Sequence, residues 1–390
     1  MPTRSSGKPM ADREAEVVAK LSSGVSGLNA AAWDRLAAHD PFVSHAFLSA
    51  LEESGSVGKG TGWTPATILV EDDASHLTSA APAYLKTHSQ GEYVFDHGWA
   101  DAFERAGGTY YPKLQIAVPF TPVPGPRLLG SQPQHLLAAA EAVALQNEIS
   151  SAHVTFVDQA GAAEAERRGW LIRHGIQYHW ESRGYRDFSD FLTALSSRKR
   201  KAIRKERDAA RSGLEFLALR GADIGPAEWD WMWRFYQDTG SRKWGRPYLT
   251  RQFFDLIGER LGDSLLLFLA LRNGQPIAGA LNLIGRDTVY GRYWGAVEEV
   301  QFLHFELCYY QAIEWAIENG LRYVQAGAQG EHKLARGYEP VITKSAHFIV
   351  DPAFRQAVEN FLEEERRAIA AEMAWLRGAL PYRASSPSSA

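Results

Sequence analysis

The sequence is short of most features that mark specialised protein classes. It has one cysteine in 390 residues, Cys308, so no internal disulfide can form, which fits a reducing compartment. Such a thiol reads as a small buried apolar side chain rather than a nucleophile. The most apolar run, Leu265–Leu271, falls far below the ~20 residues that span a bilayer. Met1 to Glu16 is polar and charged and lacks the apolar core of a signal peptide. No phosphate-binding P-loop, dinucleotide fingerprint or G-x-S-x-G elbow is present. Asp96-His97 and Glu331-His332 are adjacent pairs, without the i, i+4 spacing that puts two metal ligands on one helix face, so no metal is expected. A net charge of −4 gives no whole-molecule field toward nucleic acid or membrane. Together these absences predict a cytoplasmic protein.

What the chain does have is an ordinary globular balance, 45% hydrophobic and 23% charged, with a length that suggests two domains. Its 12 Trp, 15 Tyr and 18 Phe suit a large core and clefts that grip a bulky substrate. One order of elements occurs twice. In the second pass a strand is predicted over Leu214–Leu219, helices over Pro226–Thr239 and Thr250–Leu261, and strands over Leu265–Leu271 and Ile277–Ile284, joined at Arg272-Asn273-Gly274-Gln275. Thr288–Tyr293 continues the sheet. Leu303–Asn319 is a helix by its three- and four-residue apolar steps and ends at Gly320. Arg322–Gln325 is a strand, Glu331–Arg336 a helical turn and Thr343–Val350 a last strand. The first pass is fainter, with strands over Glu16–Leu21, Ala66–Glu71, His76–Lys86, His153–Val157 and Leu171–Trp180. Its helices fall at Ala30–Ala38, His45–Glu53, Gln134–Glu148 and Ala162–Arg168, and Gly91–Pro126 is an insertion. Phe188–Ser212 reads as one joining helix and Arg355–Arg377 as a closing one. The order is similar to that of the GNAT fold. The expected architecture is therefore α/β, with two tandem GNAT-like mixed-sheet domains at 13–187 and 214–380. A basic connecting helix at 188–213 joins them, and tails at 1–12 and 381–390 are disordered.

Four clusters could carry chemistry. On a helix, Arg200, Arg204, Arg207 and Arg211 share a side and can neutralise phosphates without reading bases. A solvated face balanced by Glu206 and Asp208 would look the same. The stretch Gly327-Ala328-Gln329-Gly330-Glu331-His332-Lys333-Leu334-Ala335-Arg336-Gly337-Tyr338, with Thr343, Ser345 and His347, follows a strand, where open α/β sheets bind ligands. Its bland alternative is a turn whose Gln329 or Glu331 satisfies helix amides. Alternation places Tyr290, Arg292 and Trp294 on one strand face and Tyr293 on the other, leading to His304 and Glu306. His304, Glu306 or His332 could serve as general base toward an amine. Asp96, His97, Trp99, Tyr110, Tyr111 and Lys113 lie in the insertion, with Arg127 just after it, and read as a loop-borne pocket wall or as plain packing.

At these residues the chain resembles the FemAB-like family of the GNAT superfamily, linked to peptidoglycan biosynthesis or recognition. The matching stretches are Gly91–Tyr111, Pro119–Leu129, Ser196–Arg207, Tyr290–Ala296, Leu303–Gln311 and Ala326–Tyr338. The resemblance implies an acyltransferase that moves an amino acid from charged tRNA to an amine of a peptidoglycan precursor. It implies acyl-CoA or aminoacyl-tRNA as co-substrate and no permanently bound cofactor. Lys333 to Tyr338 is similar to the family's Lys-x-x-Gly-Phe-like motif, which makes Lys333 a candidate cation for the donor ester or the developing oxyanion. The stretch before the central helix, Ala296-Val297-Glu298-Glu299-Val300-Gln301, departs from the glycine-rich pyrophosphate loop of CoA-using GNAT enzymes. Gly125-Pro126-Arg127 stands in that place in the first half. The candidate catalytic set is His332, Lys333, Glu306, His304 and Glu331. Gln329, Arg336, Tyr338, Arg292, Tyr293, Trp294, Asp96, His97, Trp99, Lys113, Arg127, Thr343, Ser345 and His347 are candidates for substrate contact. Arg200, Arg204 and Arg207 are candidates for donor phosphates, tRNA among them. The rival reading is a GNAT-shaped module that binds cell-wall precursor or RNA without catalysis.

Overall fold

The computed structural model describes residues 18–243, 247–327 and 330–383. The first half runs β1 (Ala19–Ser22), α1 (Ala30–Ala37), α2 (His45–Glu53), β2 (Trp63–Pro65), β3 (Thr67–Glu71), β4 (Leu77–Ala81), β5 (Ala83–Lys86), α3 (His97–Arg105), β6 (Lys113–Ile116), β7 (Leu129–Gly130), α4 (Pro133–Gln146), β8 (Ser151–Val157), α5 (Gln159–Arg167) and β9 (Leu171–Glu181). Helices α6 (Phe188–Ala194) and α7 (Ser197–Arg211) lead into the second half. There follow β10 (Glu215–Arg220), α8 (Pro226–Lys243), α9 (Arg251–Arg260), β11 (Leu265–Arg272), β12 (Gln275–Ile284), β13 (Thr288–Ala296) and α10 (Leu303–Phe305). A π-helical segment Glu306–Tyr310, α11 (Gln311–Glu318), β14 (Tyr323–Gln325), a 3₁₀ turn Glu331–Arg336, β15 (Glu339–Ile349) and α12 (Pro352–Gly378) complete the chain.

Local chemistry fixes many boundaries. Side chains of Asn29, Ser44, Thr250 and Asp351 accept from backbone N–H groups in the first turns of α1, α2, α9 and α12. Asn273 and Gly274, at φ 51° and 75°, make the tight β11–β12 turn. Two segments differ from the sequence-based expectation. The run His76–Lys86 divides at Pro82, which has no N–H to continue a ladder, and β4 and β5 enter different sheets. The joining helix is two helices. Leu195 is fully buried in an extended conformation, Ser196 N–H donates to Pro381 O at 2.9 Å, and Arg383 N–H donates to Ala194 O at 3.0 Å. Pro381–Arg383, expected in a disordered tail, thus hold the break.

The strands form a four-stranded sheet, β1-β3-β4-β7, and an eleven-stranded one, β10-β11-β12-β13-β14-β9-β15-β8-β6-β5-β2. Its two parallel neighbours, β13–β14 and β6–β8, occupy matching places in the two halves. The GNAT-like halves exchange their last strands. β9, which ends the first half, pairs with β14 of the second, and β15, which ends the second, pairs with β8 of the first. β9 and β15 pair with each other from Glu339↔His179 to His347↔Leu171. Apolar clusters line both faces. One joins α1, α2, α8 and α9 to β11 and β12, and another joins α6, α11 and the π-helical segment to the opposite face. No described helix is long and apolar enough to cross a membrane.

Candidate active site

Strands β13 and β14 run side by side only from Thr288↔Tyr323 to Tyr290↔Gln325 and then part. On its other side β13 carries a β-bulge. Leu281 opposes Tyr293 and Asn282 opposes Gly291, so Arg292 is the extra residue. The bulge corrects the alternation expected from sequence. Arg292 turns to the Phe42 and Tyr293 side, where its guanidinium lies 5.7 and 5.4 Å from those rings and donates to Phe120 O at 2.7 Å. Trp294 packs on the other side, 5.2 Å from the His304 ring. Where the strands part there is a cavity of about 120 Å³, lined by Asn282, Gly291, Arg292, Tyr293, Trp294, His304, Cys308, Tyr309, Ala326 and Gly327 among others. Asn282 donates from Nδ2 to Leu266 O and Ala280 O, and its Oδ1 has no partner.

Lys333 lies beside this cavity, bonded to its lining residue Gly327. It is 1% exposed, and its ammonium donates to Gly327 O at 2.7 Å, with no carboxylate partner among the described residues. Burial lowers its pKa from 10.5 to about 8. Neighbouring His332 is exposed. Its Nε2 lies 2.8 Å from the Tyr309 hydroxyl, and burial of the ring followed by Arg336 and Lys333 disfavours its charged form. The Tyr338 ring is fully buried against Tyr309 and its hydroxyl has no partner. Behind this wall lies a set of ion pairs. Arg336 donates to Tyr310, His332 O and Glu206 and stacks 3.6 Å over Phe305. Glu306, 0% exposed, accepts twice from Arg207 at 3.0 Å and once from Arg211 at 2.7 Å.

The insertion builds a second polar region around Lys113 of β6. Lys113 donates to Ser89 at 2.8 Å, to Glu92 at 2.7 Å and to Asp96, which also accepts from Tyr110 at 2.7 Å. Burial disfavours charge on Asp96, but Lys113 outweighs it and holds the carboxyl below its usual range. Burial pushes Glu92 up to about 7 and Lys86, 3.8 Å away, down to about 7. His153 and His347 share a 2.7 Å Nδ1–Nδ1 contact, both held neutral first by burial.

The structure thus brings Arg292, Tyr293, Trp294 and His304 to one cavity, with Lys333 bonded to its lining residue Gly327 and His332 and Tyr338 against its lining residue Tyr309. Glu331 is exposed at the start of the 3₁₀ turn. Gln329 lies outside the described residues. Several expected roles are corrected. Glu306 is buried in ion pairs and cannot reach an incoming amine, and Arg207, 8% exposed, holds Glu306 rather than phosphate. Arg200 is half-buried and Arg204 exposed on the outer side of α7. Arg336 is spent on Glu206 and Phe305. Arg127 is buried, donating to Val123 O and Pro126 O, with burial lowering its pKa to about 10. Asp96, Lys113 and His347 are interior, and Trp99 packs edge-on against His347 at 4.9 Å. His97 lines a separate open cavity of about 490 Å³, and Thr343 and Ser345 line one of about 320 Å³. Cys308 is half-buried, packs against the apolar core on one side and lines the small cavity on the other. Asn282 and His179 were not singled out in the sequence. An Asn in an otherwise apolar strand run was the one available signal. No group of three or more His, Cys, Asp or Glu fit for a metal occurs among the described residues.

The FemAB-like family profile, described as peptidoglycan biosynthesis/recognition, matches residues 24–384. Among solved structures, FemX is similar with a TM-score of 0.53 at 13% identity, covering 85% of this chain and 98% of FemX. A conserved protein of unknown function from Bacteroides thetaiotaomicron VPI-5482 gives 0.51 at 12%, covering 85% and 99%. The C-terminal domain of a lysylphosphatidylglycerol synthetase from Agrobacterium fabrum gives 0.50 at 10%, covering 85% and 96%. At these identities the likeness is one of fold. No curated protein sequence matches the chain.

Proposed function

Since the chain belongs to the FemAB-like family of acyltransferases, we propose that it moves an aminoacyl or acyl group from aminoacyl-tRNA or acyl-CoA to an amine, that of a peptidoglycan precursor being the leading acceptor. The observation that carries this reading is the buried ammonium of Lys333, which donates to Gly327 O on the wall of the cavity between β13 and β14 and has no carboxylate partner among the described residues. A cation held in a dry site favours the negative charge that develops on a carbonyl oxygen under attack. The cavity behind it has room for a small acyl or aminoacyl group. No enzyme-bound intermediate is required, because holding donor and amine together supports direct aminolysis. Exposed Arg204 and half-buried Arg200 offer a cationic face to donor phosphates, whereas Glu298 and Glu299 oppose a pyrophosphate before α10. That contrast favours tRNA over CoA, and with it a cytoplasmic setting.

The test is transfer by the purified chain from each donor to a panel of amines, read by mass spectrometry. The expected result is transfer that disappears in Lys333→Ala with the thermal midpoint within a few degrees of wild type. Transfer that survives in Lys333→Ala, or no transfer from either donor to any amine, would overturn the reading in favour of a binding module.

A further inference from the structure

Helix α12 turns an apolar stripe inward, with Phe354, Val358, Leu362 and later Leu376 all buried. Between Leu362 and Leu376 the same stripe carries Glu365, Ile369 and Glu372, and there the helix does not close on the sheet. It leaves a cavity of about 320 Å³ against β9 and β15. A sheet face under a helix is ordinarily apolar. This one presents Arg173 and Gln177 from β9 and Thr343 and Ser345 from β15, with Gln177, Thr343 and Ser345 only 4–6% exposed. Gly175 sits between Arg173 and Gln177 and pairs with Thr343. A Cβ added there would meet one atom within 4 Å, Thr343 Oγ1 at 2.8 Å. A glycine inside a strand weakens it unless something approaches the backbone closely, and here the Thr343 hydroxyl does, leaving the floor open beside it.

The charge of the cavity is one-sided. Arg173 is neutralised by Glu365 through two hydrogen bonds, of 2.9 and 2.7 Å. Glu372 stands exposed at the mouth with no ion pair among the described residues. His174 on the wall is kept neutral by burial and then by Lys344 and Arg366. The floor also connects to the Lys333 loop. Gln177 Oε1 lies 3.3 Å from His179 Nε2, and His179 pairs across the sheet with Gln325, two residues before Gly327.

We infer that this cavity is a second ligand site for a small polar molecule with a free primary amine, its ammonium at Glu372 and its hydroxyl or amide groups on Thr343, Ser345 and Gln177. The inference does not rest on the transferase reading, because this cavity and the one beside Gly327 share no lining residue. The test is binding, with no donor present. D-glucosamine and L-alaninamide are titrated into the full chain by calorimetry, beside their N-acetyl forms. At least one amine should bind, with its N-acetyl form about tenfold weaker or worse, the size of one lost ion pair. Gly175→Val should abolish the heat, since Val suits a strand and fills the floor. Should that variant fold poorly, Thr343→Leu narrows the same space from β15. Glu372→Gln should bring the amine down to the affinity of its acetylated form. Absence of binding by both amines, or binding that survives both filling variants, would overturn the site. Lys333→Ala must leave this binding unchanged. Because the two cavities share no lining residue, loss of this binding and loss of transfer are separate outcomes.

Discussion

A buried lysine that keeps its proton needs something to hold it, and Lys333 has one carbonyl oxygen. The drop of its pKa from 10.5 to about 8 corresponds to about 3 kcal/mol against the charged form. Because the native pKa is the lower one, the unfolded chain binds the extra proton between pH 8 and 10.5. Native stability therefore rises with pH across that window, and the cost is fully present below it. Lys333→Met should then melt at least as high as wild type at pH 7, and its advantage should shrink as pH rises from about 8 to above 10. A lower midpoint at pH 7 would mean that the ammonium supports the fold. The same titration bears on catalysis: if the cation stabilises the oxyanion, the turnover number should fall as pH rises through about 8. A turnover that instead rises through that pH would make neutral Lys333 a base. The residue stands out in sequence because a Gly-rich turn followed by Lys-x-x-Arg-Gly-Tyr has no structural need for so many polar side chains, and its catalytic role is what these titrations decide. Glu306 was misread for the opposite reason. A carboxylate at a helix start looks the same in one dimension whether it faces a cleft or, as here, two arginines from a helix about a hundred residues earlier.

Helix α7 does two jobs on two faces. Its inner face carries Ile203, Arg207 and Ala210 into the protein, where Arg207 and Arg211 clamp Glu306 and Glu314. Its outer face carries Arg204, Lys201 and Lys205 in solvent. Glu306→Ala leaves Arg207 and Arg211 with Glu314 alone, so it should lower stability in urea unfolding by less than the ~3–5 kcal/mol of a fully stranded buried charge. Reversing Arg204 and Lys201 together to Glu should leave the urea midpoint unchanged while weakening tRNA binding and flattening its salt dependence. An unaltered salt slope would return that face to plain surface. The sequence showed that this segment is basic and helical. It could not show the break at Leu195–Ser196, because the break is imposed by Pro381–Arg383, far away in the chain. The expected pairing of Arg292 with Trp294 on one strand face failed likewise, because the bulge is set by the register of β12 against β13 and leaves no mark in local periodicity.

At the scale of the molecule, the repeated element order was readable but the exchange of strands was not. Each half is complete in its count of elements and incomplete in its hydrogen bonds. Without β15, β8 and β9 would face each other across a missing strand; without β9, β14 would lie at an open edge. An exposed ladder edge of this kind is a template for pairing with another chain. The polar floor of β9 and β15 and the Lys333 loop are consequently built from both halves at once, so the site and the fold should be lost together. Urea unfolding followed by tryptophan fluorescence and far-ultraviolet circular dichroism should therefore give one coincident transition. Residues 1–187 expressed alone should not reach a folded monomer. Two separated transitions, or a well-dispersed amide spectrum from the isolated first half, would show that the shared strands are an accessory to two independent units rather than the element that joins them.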